Sequence, residues 1–276
     1  LLGRPSYCCH VLDNPRSPRV RAVAKLFKKQ RRHEARLFLV EGPQATREAL
    51  VSQPERIEDV FMTPSAQERN SDLVAQAERA GLDITLVSEA VLDQMADTVT
   101  PQGVVSVAHF RDVSLDEVLG STPRHVVVLH QVKDPGNVGN IIRSADAAGA
   151  DAVILSEQSV DVYNPKVVRA TTGSLFHVPI VSGVELAPTV SALRGAGVTV
   201  LATDAGGDNL AEVRSEGGLG QPVAWLLGNE AHGLAQEDQE LADRIIAVPL
   251  YGQAESLSLQ TAAAICMYET AFAQNS

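Results

Sequence analysis

The chain of 276 residues carries only three cysteines, too few for a disulfide framework. Cys8 and Cys9 are adjacent, Cys266 sits in an apolar stretch, and no Cys/His spacing suits zinc, so no metal site is expected. No apolar run approaches the ~20 residues that span a bilayer. The opening residues, LLGRPSYCCHVL, contain no proper apolar stretch for a secretory signal. These absences lead us to expect a reduced, cytoplasmic protein with no membrane partner. Positive charge is also scarce. The chain has 23 Lys+Arg against 34 Asp+Glu, a formal net charge of −11. That balance argues against coating nucleic acid through bulk charge.

The familiar nucleotide and hydrolase fingerprints are missing too. No strand-like run is followed by G-x-G-x-x-G, and no G-x-x-x-x-G-K-[ST] occurs. There is no G-x-S-x-G elbow and no H-E-x-x-H. A dinucleotide enzyme, a P-loop NTPase, a serine hydrolase and a zincin are thereby disfavoured. No fixed-period repeat or low-complexity segment is found, and 45% hydrophobic with 21% charged residues is an ordinary globular composition.

What is present begins with an uneven charge distribution. Residues 1–36 hold ten basic side chains and two acidic ones, a local charge of +8, which leaves −19 on the rest. An acidic body with a basic leader suggests a polyanionic partner. Val20, Val23, Ala24 and Phe27 recur at helical spacing behind Pro15 and Pro18, predicting a helix with one apolar face. Arg16, Arg19, Arg21, Lys25, Lys28, Lys29, Arg31 and Arg32 are the candidates for contact with RNA phosphates. The bland alternative is a solvated amphipathic helix.

From there, helices and strands alternate in two halves. In the first, 16–110, strands are predicted at 37–42, 57–63, 83–87 and 104–110. Helices are expected after Pro43, over 65–80 and after Ser88. Residues 111–123 are polar and turn-rich and read as a linker. In the second, 124–276, short apolar strands (125–130, 151–156, 177–181, 198–204, 223–228, 245–250) alternate with helices, the last over 258–273. That pattern indicates an α/β fold with a parallel sheet buried on both faces.

Three clusters in the second half each follow a predicted strand. In DPGNVGNIIRSADAAGA (134–150), Asn137 is placed to cap a helix and Arg143 lies six residues on. In LLGNEAHGL (226–234), Gly228 permits close backbone approach and Glu230 follows at the start of a helix. In VPLYGQAESLSLQTAAAICMYE (248–269), a proline turn and Gly252 lead to Ser256, Leu257 and Ser258 at a helix start. Each cluster alone has an ordinary structural reading: a solvated or ion-paired arginine, a strand–turn–helix with Gly233 at positive φ, a serine cap.

Their order, N-x-x-x-x-x-R, G-N-E-x-x-G-L and V-P-L-x-G-x-x-x-S-L-S, closely resembles the motifs of the SpoU (TrmH-type) RNA ribose 2′-O-methyltransferases of the SPOUT superfamily. The resemblance covers essentially all of 122–276. The first half is similar to the smaller L30e-like α/β RNA-binding domain that precedes the catalytic domain in many bacterial members. The resemblance implies a deep trefoil knot, a rare exception to unknotted topology, with S-adenosylmethionine bent inside it and held largely by backbone groups. It also implies a homodimer through the knotted domain, with an active site built across subunits. Cofactor contacts fall on Gly228, Val248 and Leu257, with Asn229, Leu250 and Ser256 completing the pocket and Thr203 on a further wall. Asn137, Arg143 and Glu230 match the functional positions of the first two motifs, and Ser256 and Ser258 stand with them in the third. Ser258 departs from the family, which has Asn there. Serine keeps a donor and an acceptor but has a shorter reach.

Arg143 is the residue expected to serve the attacking 2′-hydroxyl, by binding the adjacent phosphate and stabilising the developing alkoxide. A guanidine base is disfavoured by an ordinary pKa of about 12.5–13.8. By analogy only, ribosomal RNA of the large subunit is favoured over tRNA. A non-catalytic RNA-binding or assembly factor retaining the fold is the alternative from another class. The SPOUT branch that methylates tRNA guanine N1 fits less well, because Asn137 with Arg143 marks the ribose methylators.

Overall fold

The structure, a computed structural model, describes residues 11–276. Arg4, Cys8 and Cys9 lie outside the described residues. Two compact units divide between Phe110 and Arg111.

The first unit begins with α1 (Pro18–Ala24), whose N-terminus is capped by the Ser17 hydroxyl, with Pro18 in the first turn where a missing N–H costs nothing. The predicted single helix does not run on. It tightens into a 3₁₀ turn at Lys25–Phe27, becomes extended at Lys28, and restarts as α2 (Lys29–Ala35). At three residues per turn the apolar stripe rotates. Val20, Val23 and Leu26 are therefore buried, and Phe27 is only partly so. Next come β1 (Leu37–Glu41), α3 (Pro43–Ser52), β2 (Ile57–Met62), α4 (Pro64–Arg69), α5 (Ser71–Arg79), β3 (Ile84–Leu86), α6 (Glu89–Met95) and β4 (Val104–His109). The expected helix over 65–80 is broken at Asn70, whose side-chain amide donates to the Ala66 carbonyl at 2.8 Å and so competes with the helical ladder. The strands form a mixed sheet in the order β1-β4-β2-β3.

The second unit starts earlier than the sequence suggested. Residues 111–123 are not a linker. Asp112 bridges to Ile180, and Leu115–Gly120 form α7 behind a reciprocal Ser114/Glu117 capping box. Val118, 4% exposed, lies in the unit's core, with Leu115 and Leu119 packed against it. Polar caps at both ends of a six-residue helix hid its short apolar face.

The remaining elements follow the predicted alternation: β5 (His125–Leu129), α8 (Pro135–Ala147), β6 (Ala152–Ser156), α9 (Pro165–Thr171), β7 (Ile180–Val184), α10 (Leu186–Gly195), β8 (Thr199–Asn209), α11 (Leu210–Ser215), β9 (Val223–Leu227), α12 (Gln236–Gln239), β10 (Arg244–Ala247) and α13 (Leu259–Gln274). All six strands are parallel, in the order β10-β8-β9-β5-β6-β7. Every residue of β5, β6 and β9 is buried, as a sheet covered on both faces requires. The last helix, α13, packs on α8, β5 and β9. It is pinned there by a fully buried hydrogen bond, Trp225 Nε1 donating to Thr270 Oγ1 at 2.9 Å. Cys266 and Met267 belong to this core, and burial pushes the Cys266 thiol up to about 12. Among the described residues no helix is long and apolar enough to cross a membrane.

Candidate active site

In a parallel α/β sheet, ligands gather at the carboxyl ends of the strands, where strand order reverses. Here β5 leads outward to β6 and β7 on one side, while β9 and β8 lie on the other, so the crevice opens between β5 and β9. Two loops fill it: 130–134 after β5 and 228–233 after β9. Asn229 Nδ2 donates to the Gln131 carbonyl at 2.8 Å. Glu230 receives the backbone N–H groups of Asp134 at 2.9 Å and Lys133 at 3.2 Å, and the Asn137 side-chain amide at 3.3 Å.

These contacts correct two local expectations. Asn137 does not cap α8. Asp134 does, accepting the Asn137 backbone N–H at 2.8 Å, with Pro135 next in the first turn. Asn137 is thereby inside the first turn with its amide free to face Glu230. The Asp–Pro–x–Asn spacing carried that signal, because proline follows the cap more readily than it precedes one. Nor does Glu230 start a helix. It sits in a tight loop closed by paired backbone bonds between Asn229 and Gly233, at 3.0 and 2.8 Å. Gly233 has φ +64°, and a side chain at Gly228 would place its Cβ 2.4 Å from the Gly233 carbonyl carbon. The close approach read from the sequence at Gly228 is thus between two turns of its own loop.

The electrostatics of Glu230 bear on its role. Partial burial raises its pKa, but the N–H donors of Asp134, Lys133, its own backbone and Asn137 outweigh this and hold it below the ordinary value. A carboxylate so stabilised is a poor proton acceptor. It organises the two loops.

Arg143 lies six residues further along α8. Six residues turn the helix by about 600°, which is about 240° past one full turn, so Arg143 and Asn137 do not share a face. Arg143 is exposed and makes no ion pair among the described residues, so of its two ordinary readings the structure matches the solvated one and not the ion-paired one. It lines a shallow groove of about 500 Å³ with Asn140 and Ser144 on one wall and Gln260, Thr261 and Tyr268 of α13 on the other. Asn140 Nδ2 donates to Gln260 Oε1 at 2.6 Å and fixes the two helices together. Neither Asn140 nor Gln260 stood out in the sequence. Ser258 caps α13, accepting the Thr261 backbone N–H. The structure therefore brings the start of the third motif's helix against the arginine of the first.

Gly228 and Val248 directly follow the carboxyl ends of β9 and β10, and Thr203 lies midway along the neighbouring β8, just past its last pairing with β9 at Ala202. Thr203 Oγ1 donates to the Leu226 carbonyl at 3.5 Å. The β8–β10 ladder jumps there, from Ile245 opposite Ala202 to Ile246 opposite Asp208, and residues 203–207 bulge from it. Beyond Val248, residues 249–257 make no backbone–backbone hydrogen bond among the described residues. Their N–H and C=O groups are open to a partner, and Leu250 is 41% exposed. An unpaired main chain beside apolar side chains fits a cofactor gripped by backbone groups around a planar base.

Residues 124–268 match the SpoU rRNA Methylase family, and residues 17–106 match the MRM3-like substrate binding domain. The chain belongs to the SpoU rRNA methylase family. The Bacillus subtilis (strain 168) 23S rRNA (guanosine(2553)-2′-O)-methyltransferase RlmP is 34% identical over 93% of this chain and 97% of its own length. The Bordetella pertussis 23S rRNA (guanosine-2′-O-)-methyltransferase RlmB is 34% identical over 79% of this chain and 89% of its own. The crystal structure of an AdoMet-bound rRNA methyltransferase from Sinorhizobium meliloti is 31% identical, with a TM-score of 0.80, over 94% of this chain and 97% of that one. Membership agrees with the motif reading of a SpoU-type RNA methyltransferase with a smaller α/β domain ahead of it.

For the basic leader the structure is selective. Arg16, Arg21, Lys25, Lys28 and Lys29 are exposed and form no ion pair among the described residues. Arg19 is half-exposed but paired with Asp59, and Arg31 is paired with Glu34 at 2.6 Å. Arg32 corrects the expectation outright. It is 2% exposed, and its guanidinium donates to the carbonyls of Leu26 and Phe27 at 2.9 and 2.8 Å. Those carbonyls end the 3₁₀ turn and need a donor, which the buried arginine supplies. It is not an RNA contact.

Proposed function

We propose that this SpoU-family chain transfers a methyl group from S-adenosylmethionine to a ribose 2′-hydroxyl of 23S ribosomal RNA. The observation that carries the reading is that α8 links the three motifs: Glu230 holds its Asn137 turn, and Arg143, further along it, faces the start of α13. S-adenosylmethionine, when bound, supplies a methyl group already activated on a sulfonium. Gly228, Asn229, Val248, Leu250, Leu257 and Thr203 are its proposed holders. The deep trefoil knot of the family belongs to this reading, supported by the path of a chain that leaves the β10 edge and returns to pack α13 on β5 and β9.

The protein's own task is then to align the hydroxyl and stabilise its developing charge. Arg143, unpaired and exposed, binds the neighbouring phosphate and the forming alkoxide, whose proton is released to water at the open groove. Asn137 and Glu230 act by holding the site's loops, and Ser256 and Ser258 set the geometry where the loop meets α13. RNA is recruited by the exposed members of the leader. The site is completed in a homodimer, for which Tyr268 (39% exposed) and Phe272 (53% exposed) offer an apolar face next to the Arg143 groove. The protein works in the cytoplasm, where its RNA is made.

The test is to incubate the protein with total RNA and methyl-labelled S-adenosylmethionine, then map the label. One labelled ribose in 23S RNA is expected. Label in tRNA would support the tRNA alternative. A folded protein that fails to bind S-adenosylmethionine in calorimetry would instead be an RNA-binding or assembly factor.

A further inference from the structure

Outside the motif residues, a second network sits directly beneath the loops of the site. His130 is the first residue after β5, and its backbone N–H extends the β5–β9 ladder to the Leu227 carbonyl at 2.8 Å. Its imidazole is nearly buried, with 12% side-chain exposure, and is held from two sides. Nδ1 lies 3.0 Å from Ser156 Oγ at the end of β6, and Nε2 lies 3.3 Å from Asp238 Oδ2 in α12. Ser156, 4% exposed, is itself fully engaged: it accepts the Gln131 backbone N–H at 3.0 Å and can donate to the Glu157 carbonyl at 3.0 Å.

These contacts converge on one peptide. Gln131 has φ +53°, a left-handed conformation that a side chain other than glycine adopts only when its surroundings impose it. The Ser156 hydroxyl on its N–H, next to the His130 ring, imposes it. That turn aims the Gln131 carbonyl at the Asn229 side chain, which it meets at 2.8 Å. Asn229 in turn accepts the Ala231 N–H at 2.9 Å through Oδ1, shaping the Gly228–Gly233 loop. The other side of the ring reaches α12, a few residues beyond the same loop. His130 therefore braces the loop at both ends: through Ser156, Gln131 and Asn229 at its start, and through Asp238 after its finish.

We propose that His130, with Ser156, is a positioning residue for S-adenosylmethionine: it sets the Gly228–Gly233 loop without touching the cofactor. This rests on the cofactor reading given above. A Ser–His–Asp line of this kind resembles a hydrolytic triad only in residue types. Ser156 Oγ is buried and saturated with partners, so the geometry serves bracing.

The experiment uses the full chain and three variants, His130→Ala, His130→Asn and Ser156→Ala. It measures S-adenosylmethionine affinity by calorimetry, RNA affinity by filter binding, and the melting temperature. Asparagine places its amide near the Nδ1 position and can still reach Ser156, but it cannot reach Asp238. We expect His130→Ala and Ser156→Ala to weaken cofactor affinity roughly tenfold, leaving RNA affinity within about twofold. His130→Asn should recover most of the cofactor affinity. Unchanged cofactor affinity in folded His130→Ala would overturn the proposal. So would RNA affinity falling in parallel with cofactor affinity, since that marks a general loss of fold, or His130→Asn binding as weakly as His130→Ala, since the Ser156 contact would then not set the loop. A wild-type protein that binds no S-adenosylmethionine would instead sink the cofactor reading itself.

Discussion

Glu230 Oε1 accepts both the backbone N–H of Asp134 and the side-chain amide of Asn137, so one carboxylate ties the loop after β9 to the helix that carries Arg143. Because these donors hold the Glu230 pKa below its ordinary value of 4.5, the native state favours the ionised form more than the unfolded chain does. Its contribution to stability is full above the unfolded value and is lost as pH falls through the lowered native one. We expect Glu230→Gln to cost about 1 kcal/mol at pH 7, a charge-assisted bond discounted for solvent exposure. Urea unfolding of both proteins from pH 7 into the acid range should show the difference shrinking below about pH 4.5. A difference that grew on acidification would contradict the assignment.

Arg143 is the unpaired cation of the groove, and replacing it removes charge stabilisation without disturbing packing. Arg143→Ala should lower methyl transfer by about 10²–10³-fold while the cofactor still binds. Arg143→Lys should recover little, because an ammonium lacks the planar fork that grips phosphate. Single-turnover transfer alongside calorimetry checks both; near-normal turnover in Arg143→Ala would remove it from the chemistry.

The leader's cations divide into two kinds. Arg32→Ala leaves the buried Leu26 carbonyl and the half-buried Phe27 carbonyl without this donor and should destabilise the first unit by about 3 kcal/mol. Replacing Lys25, Lys28 and Lys29 together by Ala should leave stability almost untouched. It should reduce the slope of log affinity for RNA against log salt by about 2, near 0.7 per single-strand phosphate contact. Melting curves and a salt titration separate the two effects.

Gly228→Ala tests the tight loop. Its Cβ would fall 2.4 Å from the Gly233 backbone, where no flexible atom can give way. We expect a loss of about 1–3 kcal/mol and weaker cofactor binding. Gly195→Ala, at the end of α10, meets no atom within 4 Å; it is the control and should lower neither.

The strands and their order of appearance were legible because β5, β6 and β9 are buried along their whole length and read as unbroken apolar runs. The motif residues were legible through their spacing. What escaped was set by local competition. Asn70 split a helix with its own amide, and Lys28 interrupted one whose periodicity looked continuous. Asp134 took the cap assigned to Asn137. The burial of Arg32 could not be seen, because a carbonyl left over at a 3₁₀ turn is invisible until that turn exists. The groove that Arg143 shares with α13 joins positions more than one hundred residues apart, and local pattern carries no information at that range.

The open main chain of residues 249–257 bears on how this family can change with time. A pocket lined by peptide groups is specified by the path of the backbone, so side chains along it can be exchanged without rewriting what is recognised. In a saturation scan of that segment, tolerance at Tyr251, Gln253 and Glu255 should stand beside intolerance at Pro249. On the proposed cofactor reading, drift in the letters there would leave the ligand unaltered, while one altered bend would not.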